Sequence, residues 1–87
     1  MLYRLEIKPQ AEKALAKIPN PYRVRISKVI DDLARDPRPK DAVKMVGSDI
    51  SYRMRVGDYR IVYEIVDRIL FVYVVRIAHR KDVYRGI

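Results

Sequence analysis

The stretch SYRMRVGDYRIVYEI, residues 51–65, constrains the fold more than any other part of the chain. Gly57-Asp58 is a two-residue hairpin signal of the II′ kind, with glycine at the first central position. If these two are the whole loop, Val56 pairs with Tyr59, Arg55 with Arg60, Met54 with Ile61, Arg53 with Val62 and Tyr52 with Tyr63. Side chains alternate across a sheet. One face then collects Tyr52, Met54, Val56, Tyr59, Ile61 and Tyr63, and is expected to pack on helices. The other collects Arg53, Arg55, Arg60, Val62 and Glu64. Arg55 directly opposite Arg60 is unfavourable by up to about 1 kcal/mol. The acid on that face of the two strands, Glu64, stands four residues from Arg60. Either the guanidinium groups splay into water, or an anion or a distant acid compensates them, and local conflicts of this sort tend to mark functional sites.

The rest of the chain supplies what the hairpin must pack against. Residues 2–7 (LYRLEI) alternate as a short strand. Pro9 suits the first turn of a helix, whose stripe is Ala11, Ala14, Leu15 and Ile18 and which Pro19 ends. Asn20-Pro21 reads as N-cap and first position of a second helix, with Tyr22, Ile26, Val29, Ile30 and Leu33 as its stripe and Asp36-Pro37 as its stop. Residues 36–50 hold Pro37, Pro39 and Gly47 and read as a loop. Strands are expected at about 51–56, 59–66 and 69–77, with a tight turn at Asp67-Arg68 and a short tail, AHRKDVYRGI. The last strand is apolar on both faces, as a central strand is. The order is β-α-α-β-β-β: a single α+β domain over residues 1–87, with a helical hairpin on one face of a small, mainly antiparallel sheet.

Composition narrows the chemistry. The absence of Cys removes disulfides, thiolate zinc sites and cysteine nucleophiles, and one His, His79, cannot make a His-rich metal site. No metal or cofactor is expected. Charges at Arg4, Glu6 and Lys8 break the start of the chain, so neither a signal peptide nor a membrane span is expected, and the cytoplasm is the expected location. A net charge of +8 favours a polyanionic partner. Of the eight basic residues from position 51 onward, seven are Arg and one, Lys81, is Lys. Arg presents a planar fork to phosphate oxygens and stays charged at any usable pH. The tail adds His79, Arg80, Lys81, Tyr84 and Arg85, and His79 is the imidazole of the chain.

There is no Gly-rich phosphate loop, HExxH or GxSxG motif. An active site would have to be made of Arg, Tyr and His, a set suited to holding a phosphate and stabilising its developing charge without a metal.

The runs YRMRVGDYRIVYEIVD, ILFVYVVRIAHR and KDVYR resemble the RelE branch of the RelE/ParE toxin superfamily, over almost the whole chain. The most specific parts are GDYRIVYEI and HRKDVY. The resemblance implies the toxin of a type II toxin–antitoxin pair that enters the ribosomal A site and cuts mRNA by attack of a ribose 2′-OH on the adjacent phosphate. It implies an acidic, RelB-like antitoxin as partner in a hetero-oligomer, with mRNA and ribosome as targets and no membrane. The matching positions are Arg53, Arg55, Arg60, Arg80 and Tyr84. Arg60 and Arg80 are expected on the phosphate, Arg53, Arg55, Lys81 and Arg85 on neighbouring RNA, and Tyr84 orienting or stacking on a base. Many RelE-like toxins carry Lys where this chain has Arg53 and Arg55. Arg effectively cannot lose its proton, so His79 is the substitute base. Two other readings stay open on the same fold: a ParE-like inhibitor of DNA gyrase, and a non-catalytic RNA- or protein-binding module.

Overall fold

The computed structural model describes residues 2–83. Strand β1 (Arg4–Ile7) leads into α1 (Pro9–Ala16) and α2 (Tyr22–Asp32); then follow β2 (Val43–Lys44), β3 (Ser51–Val56), β4 (Tyr59–Val66), β5 (Phe71–His79) and a helical turn, α3 (Arg80–Val83). The five strands form one sheet in the order β1-β5-β4-β3-β2. β1 runs parallel to β5, and the other three pairings are antiparallel.

The β3–β4 register is the one the hairpin signal predicts at every pair, from Tyr52↔Tyr63 to Val56↔Tyr59. Gly57 sits at φ 59°, the positive value that a II′ turn asks of its first central residue. The core follows the predicted face. Met54, Val56, Ile61, Tyr63 and Ile65, with Val72, Val74 and Ile77 of β5, are buried against Ala11, Ile18, Ile26, Ile30 and Leu33. Tyr63 is fully buried, and its hydroxyl donates to the Pro37 carbonyl at 2.8 Å. That bond lets a polar group sit in the core at little cost.

Four details depart from the expected elements. The 36–50 segment contains β2, whose Val43 and Lys44 pair with Arg53 and Tyr52. α2 begins one residue later than Asn20-Pro21 implies, with Pro21 at the cap position and no side-chain cap bond. The Pro19 carbonyl accepts the Arg23 N–H instead, at 3.2 Å. A 3₁₀ turn (Asp67–Ile69) replaces the tight turn, closing on Leu70 at φ 53°. β5 therefore starts two residues later and runs on to His79.

A bulge in β5 sets which of its residues face the arginines. The β4–β5 register shifts between Val62↔Arg76 and Tyr63↔Val74, leaving Val75 as the extra residue. Strict alternation from Val74 would turn Arg76 towards the helices. The bulge instead places Ile77 in the core and brings Arg76 beside Val62, on the face of Arg53 and Arg60.

Candidate functional site

The helices cover one face of the sheet, and the other carries the arginines. Two adjoining hollows open on it. One, of about 200 Å³, is lined by Asp41, Val43, Arg53, Met54, Arg55 and Arg60. The next, of about 370 Å³, is lined by Arg55, Arg60, Arg80 and Lys81. They share Arg55 and Arg60, so five cations line one continuous cleft. A roomier hollow, about 620 Å³, lies between α1 and α2 and mixes Glu12 and Asp31 with Arg23 and Lys28. It gathers no single sign of charge.

Local structure explains each placement. Arg53 and Arg55 are exposed residues of β3, two apart and therefore on one face. Arg55 donates through Nε to the Gly57 carbonyl at 3.3 Å, which folds its side chain back along the hairpin turn. Arg60 faces it across the ladder, half-buried, with its Nε shut off from water. Arg80 enters the site because its backbone N–H donates to the Asp58 carbonyl at 2.6 Å, tying the start of α3 to the same turn. One hairpin turn thus anchors Arg55 and Arg80 on either side of Arg60.

The charge of such a cleft suits an anion. A unit negative charge about 4 Å from one guanidinium gains roughly 4 kcal/mol at an effective dielectric of about 20. That exceeds the cross-strand penalty of about 1 kcal/mol several times over, so a bound phosphate reverses the sign of the local conflict. No group of three His, Cys, Asp or Glu side chains among the described residues is arranged to hold a metal ion.

Of the residues expected in the site, the structure brings Arg53, Arg55, Arg60, Arg80 and Lys81 together. Tyr84 and Arg85 lie outside the described residues. His79 stands elsewhere. It pairs with Tyr59 on the helix-facing side and meets the Tyr59 ring edge-on at 5.3 Å. With Gln10, Ala14, Lys17 and Ile18 it lines a separate groove of about 420 Å³. Its Nδ1 accepts the Lys81 backbone N–H at 3.3 Å, so it braces the residue that enters the cleft from the far side of the sheet.

The cleft also holds a residue that sequence reasoning passed over. Asp41 is the carboxylate among the lining residues of the two hollows. Reading 36–50 as loop hid it. The available signal was Gly47-Ser48, which turns the chain so that Val43-Lys44 pairs back on Tyr52-Arg53 and carries the neighbouring Asp41 to the arginines.

Residues 5–84 match the model of a family described as the ParE toxin of the type II toxin–antitoxin system parDE. The chain belongs to the RelE/ParE toxin superfamily, on its RelE-like branch. A protein of Methanocaldococcus jannaschii that carries the name RelE1 is 30% identical over 91 residues, covering 99% of both chains. The archaeal RelE–RelB complex from Pyrococcus horikoshii superposes with a TM-score of 0.82 at 30% identity, over 92% of this chain and 97% of that one. The RelB–RelE antitoxin–toxin complex from Methanococcus jannaschii gives 0.80 at 27%, over 94% and 98%. The RelE-like fold thus covers 92–94% of this chain in these two superpositions. Among the described residues, no helix of the toxin is long and apolar enough to cross a membrane.

Proposed function

We propose that this RelE-like toxin is an endoribonuclease that cuts mRNA in the ribosomal A site without a metal ion. The observation that carries the reading is the convergence of five cations and one carboxylate on an open sheet face. In the proposed step, the 2′-oxygen forms a bond to the adjacent phosphorus as the bond from phosphorus to the 5′-oxygen breaks. The products are a 2′,3′-cyclic phosphate and a 5′-hydroxyl. Arg60 and Arg80 take the charge that builds on the phosphoryl oxygens. Arg53 and Arg55 hold flanking phosphates. The Asp41 carboxylate takes the 2′-OH proton, a role closed to Arg53 and Arg55 by their chemistry and to His79 by its face of the sheet. The Lys81 ammonium gives a proton to the leaving 5′-oxygen. Tyr84 stacks on a base and Arg85 adds a phosphate contact.

The RelE chains of P. horikoshii and M. jannaschii are held in complexes with RelB. By that likeness an acidic, RelB-like antitoxin covers this toxin, and its +8 charge suits such a partner. Purified toxin on ribosomes programmed with a defined message tests the reaction. Fragments ending in 2′,3′-cyclic phosphate are expected, and a message with a 2′-deoxy nucleotide before the scissile phosphate should survive. Cleavage of that deoxy message would refute 2′-OH attack. Because the matching family model is described as ParE, gyrase poisoning is the second reading. Normal supercoiling in a gyrase assay at the same toxin concentration argues against it.

A further inference from the structure

At the end of β4 remote from the cleft, Asp67 gathers two partners from distant parts of the chain. Arg38 donates to it through both terminal nitrogens, at 2.7 and 3.2 Å. The Tyr3 hydroxyl donates to its Oδ1 at 2.6 Å. Arg38 also donates through Nε to the Tyr52 hydroxyl at 3.0 Å, with its guanidinium 5.2 Å from the Tyr52 ring centroid. Tyr52 stacks on Tyr63, whose hydroxyl holds the Pro37 carbonyl. A side-chain clasp thus fixes residues 37 and 38 to the sheet from two sides.

Three residues further on is Asp41. The Pro39 carbonyl accepts the Ala42 N–H at 2.9 Å, which closes a turn around Lys40 and Asp41, and Val43 then enters β2 opposite Arg53. Three residues span at most about 11 Å. Asp41 therefore hangs between two fixed points, the clasp at Arg38 and the strand pairing at Val43. We infer that Arg38 and Asp67 are positioning residues, whose ion pair holds the Pro39–Ala42 turn so that the Asp41 carboxylate stands at the rim of the arginine cleft. The inference rests on the reading of Asp41 as the base. It adds a dependence of the cleavage rate on a contact roughly 20 Å along β4 from Arg60.

A double-mutant cycle on programmed ribosomes tests it. Asp67→Asn keeps the shape and removes the charge that grips Arg38. It is expected to lower kcat about tenfold while KM stays within twofold, because the phosphate-binding arginines are untouched. In an Asp41→Asn background the same change is expected to cost nothing further, since there is no base left to position. Reversing the pair, Arg38→Asp with Asp67→Arg, should restore part of the rate. Independently of cleavage, hydrogen exchange of the Ala42 amide should quicken in Asp67→Asn. Losses that multiply in the double variant, a wild-type rate for Asp67→Asn, or unchanged Ala42 exchange would overturn the positioning role. A wild-type rate for Asp41→Asn would instead overturn the base assignment, and this inference with it.

Discussion

Arg60 shows how one side chain can answer to both fold and function. Its partner across the ladder is Arg55, its Nε is shut off from water, and it lines both hollows of the cleft. Two parallel N–H donors on a phosphate need a guanidinium fork, which Lys lacks. Arg60→Lys is therefore expected to lower the cleavage rate about as much as Arg60→Ala, by roughly 10²–10³, in a single-turnover assay at saturating ribosomes. Arg53→Ala should weaken RNA binding evenly across sequences and reduce the salt slope of log K by about 1, measured by titrating a short RNA at several salt concentrations. Arg55 and Arg60 were legible from sequence because a two-residue turn leaves no freedom in register. The face of His79 was not. It depends on where β5 ends and on the parity around an extra residue at Val75, and no residue near Val75 signals a bulge. The single-turnover cleavage rate separates the two candidate bases: it should largely persist in His79→Ala and be lost in Asp41→Ala.

At the scale of elements, the β3–β4 hairpin and the segment before it do most of the positioning. Gly57 has φ 59°, and a Cβ there would meet the Tyr22 ring at 3.0 Å. Gly57→Ala is expected to cost about 1–2 kcal/mol from the left-handed backbone alone, and to loosen Arg55 and Arg80 with the turn. Urea denaturation reads the cost as a lower midpoint at constant slope. Tyr63→Phe removes the hydroxyl that satisfies the buried Pro37 carbonyl, a loss of about 1–3 kcal/mol. Burial pushes the Tyr63 hydroxyl up to about 12, with the Tyr52 hydroxyl adding to the rise. A raised value means that the folded chain holds this proton more tightly. Its contribution is complete below the ordinary tyrosine range near 10 and is lost as pH climbs towards 12. Tyr63→Phe should lack that alkaline limb in a plot of Tm against pH. Sequence periodicity found both main helices and four of the strands. It missed β2, because two residues are too few to show a period.

The whole molecule puts its arginine face and its apolar core on opposite sides of one sheet, so side chains can vary there without repacking the interior. What ties the two sides together is the clasp around Asp67, built from residues 29 and 64 positions away in the chain. Contacts of that separation leave no pattern in a single sequence, whereas the β-α-α-β-β-β order, set by local turns and stripes, was readable throughout. Arg38 first, and then the Tyr3 hydroxyl, hold the Asp67 carboxyl below its ordinary value near 3.8. The clasp is thus intact above the usual carboxylate range and fails only as pH falls through the lowered value. Against that background, the measurement that bears most directly on the toxin as a nuclease is the rate at which programmed ribosomes lose intact A-site codons to the wild type and to the Arg60→Ala, Arg80→Ala double variant. The wild type should cut there, and the double variant should be slower by at least about 10³. Intact codons at saturating wild-type toxin, or equal rates for the two proteins, would contradict the assignment of the arginine cleft.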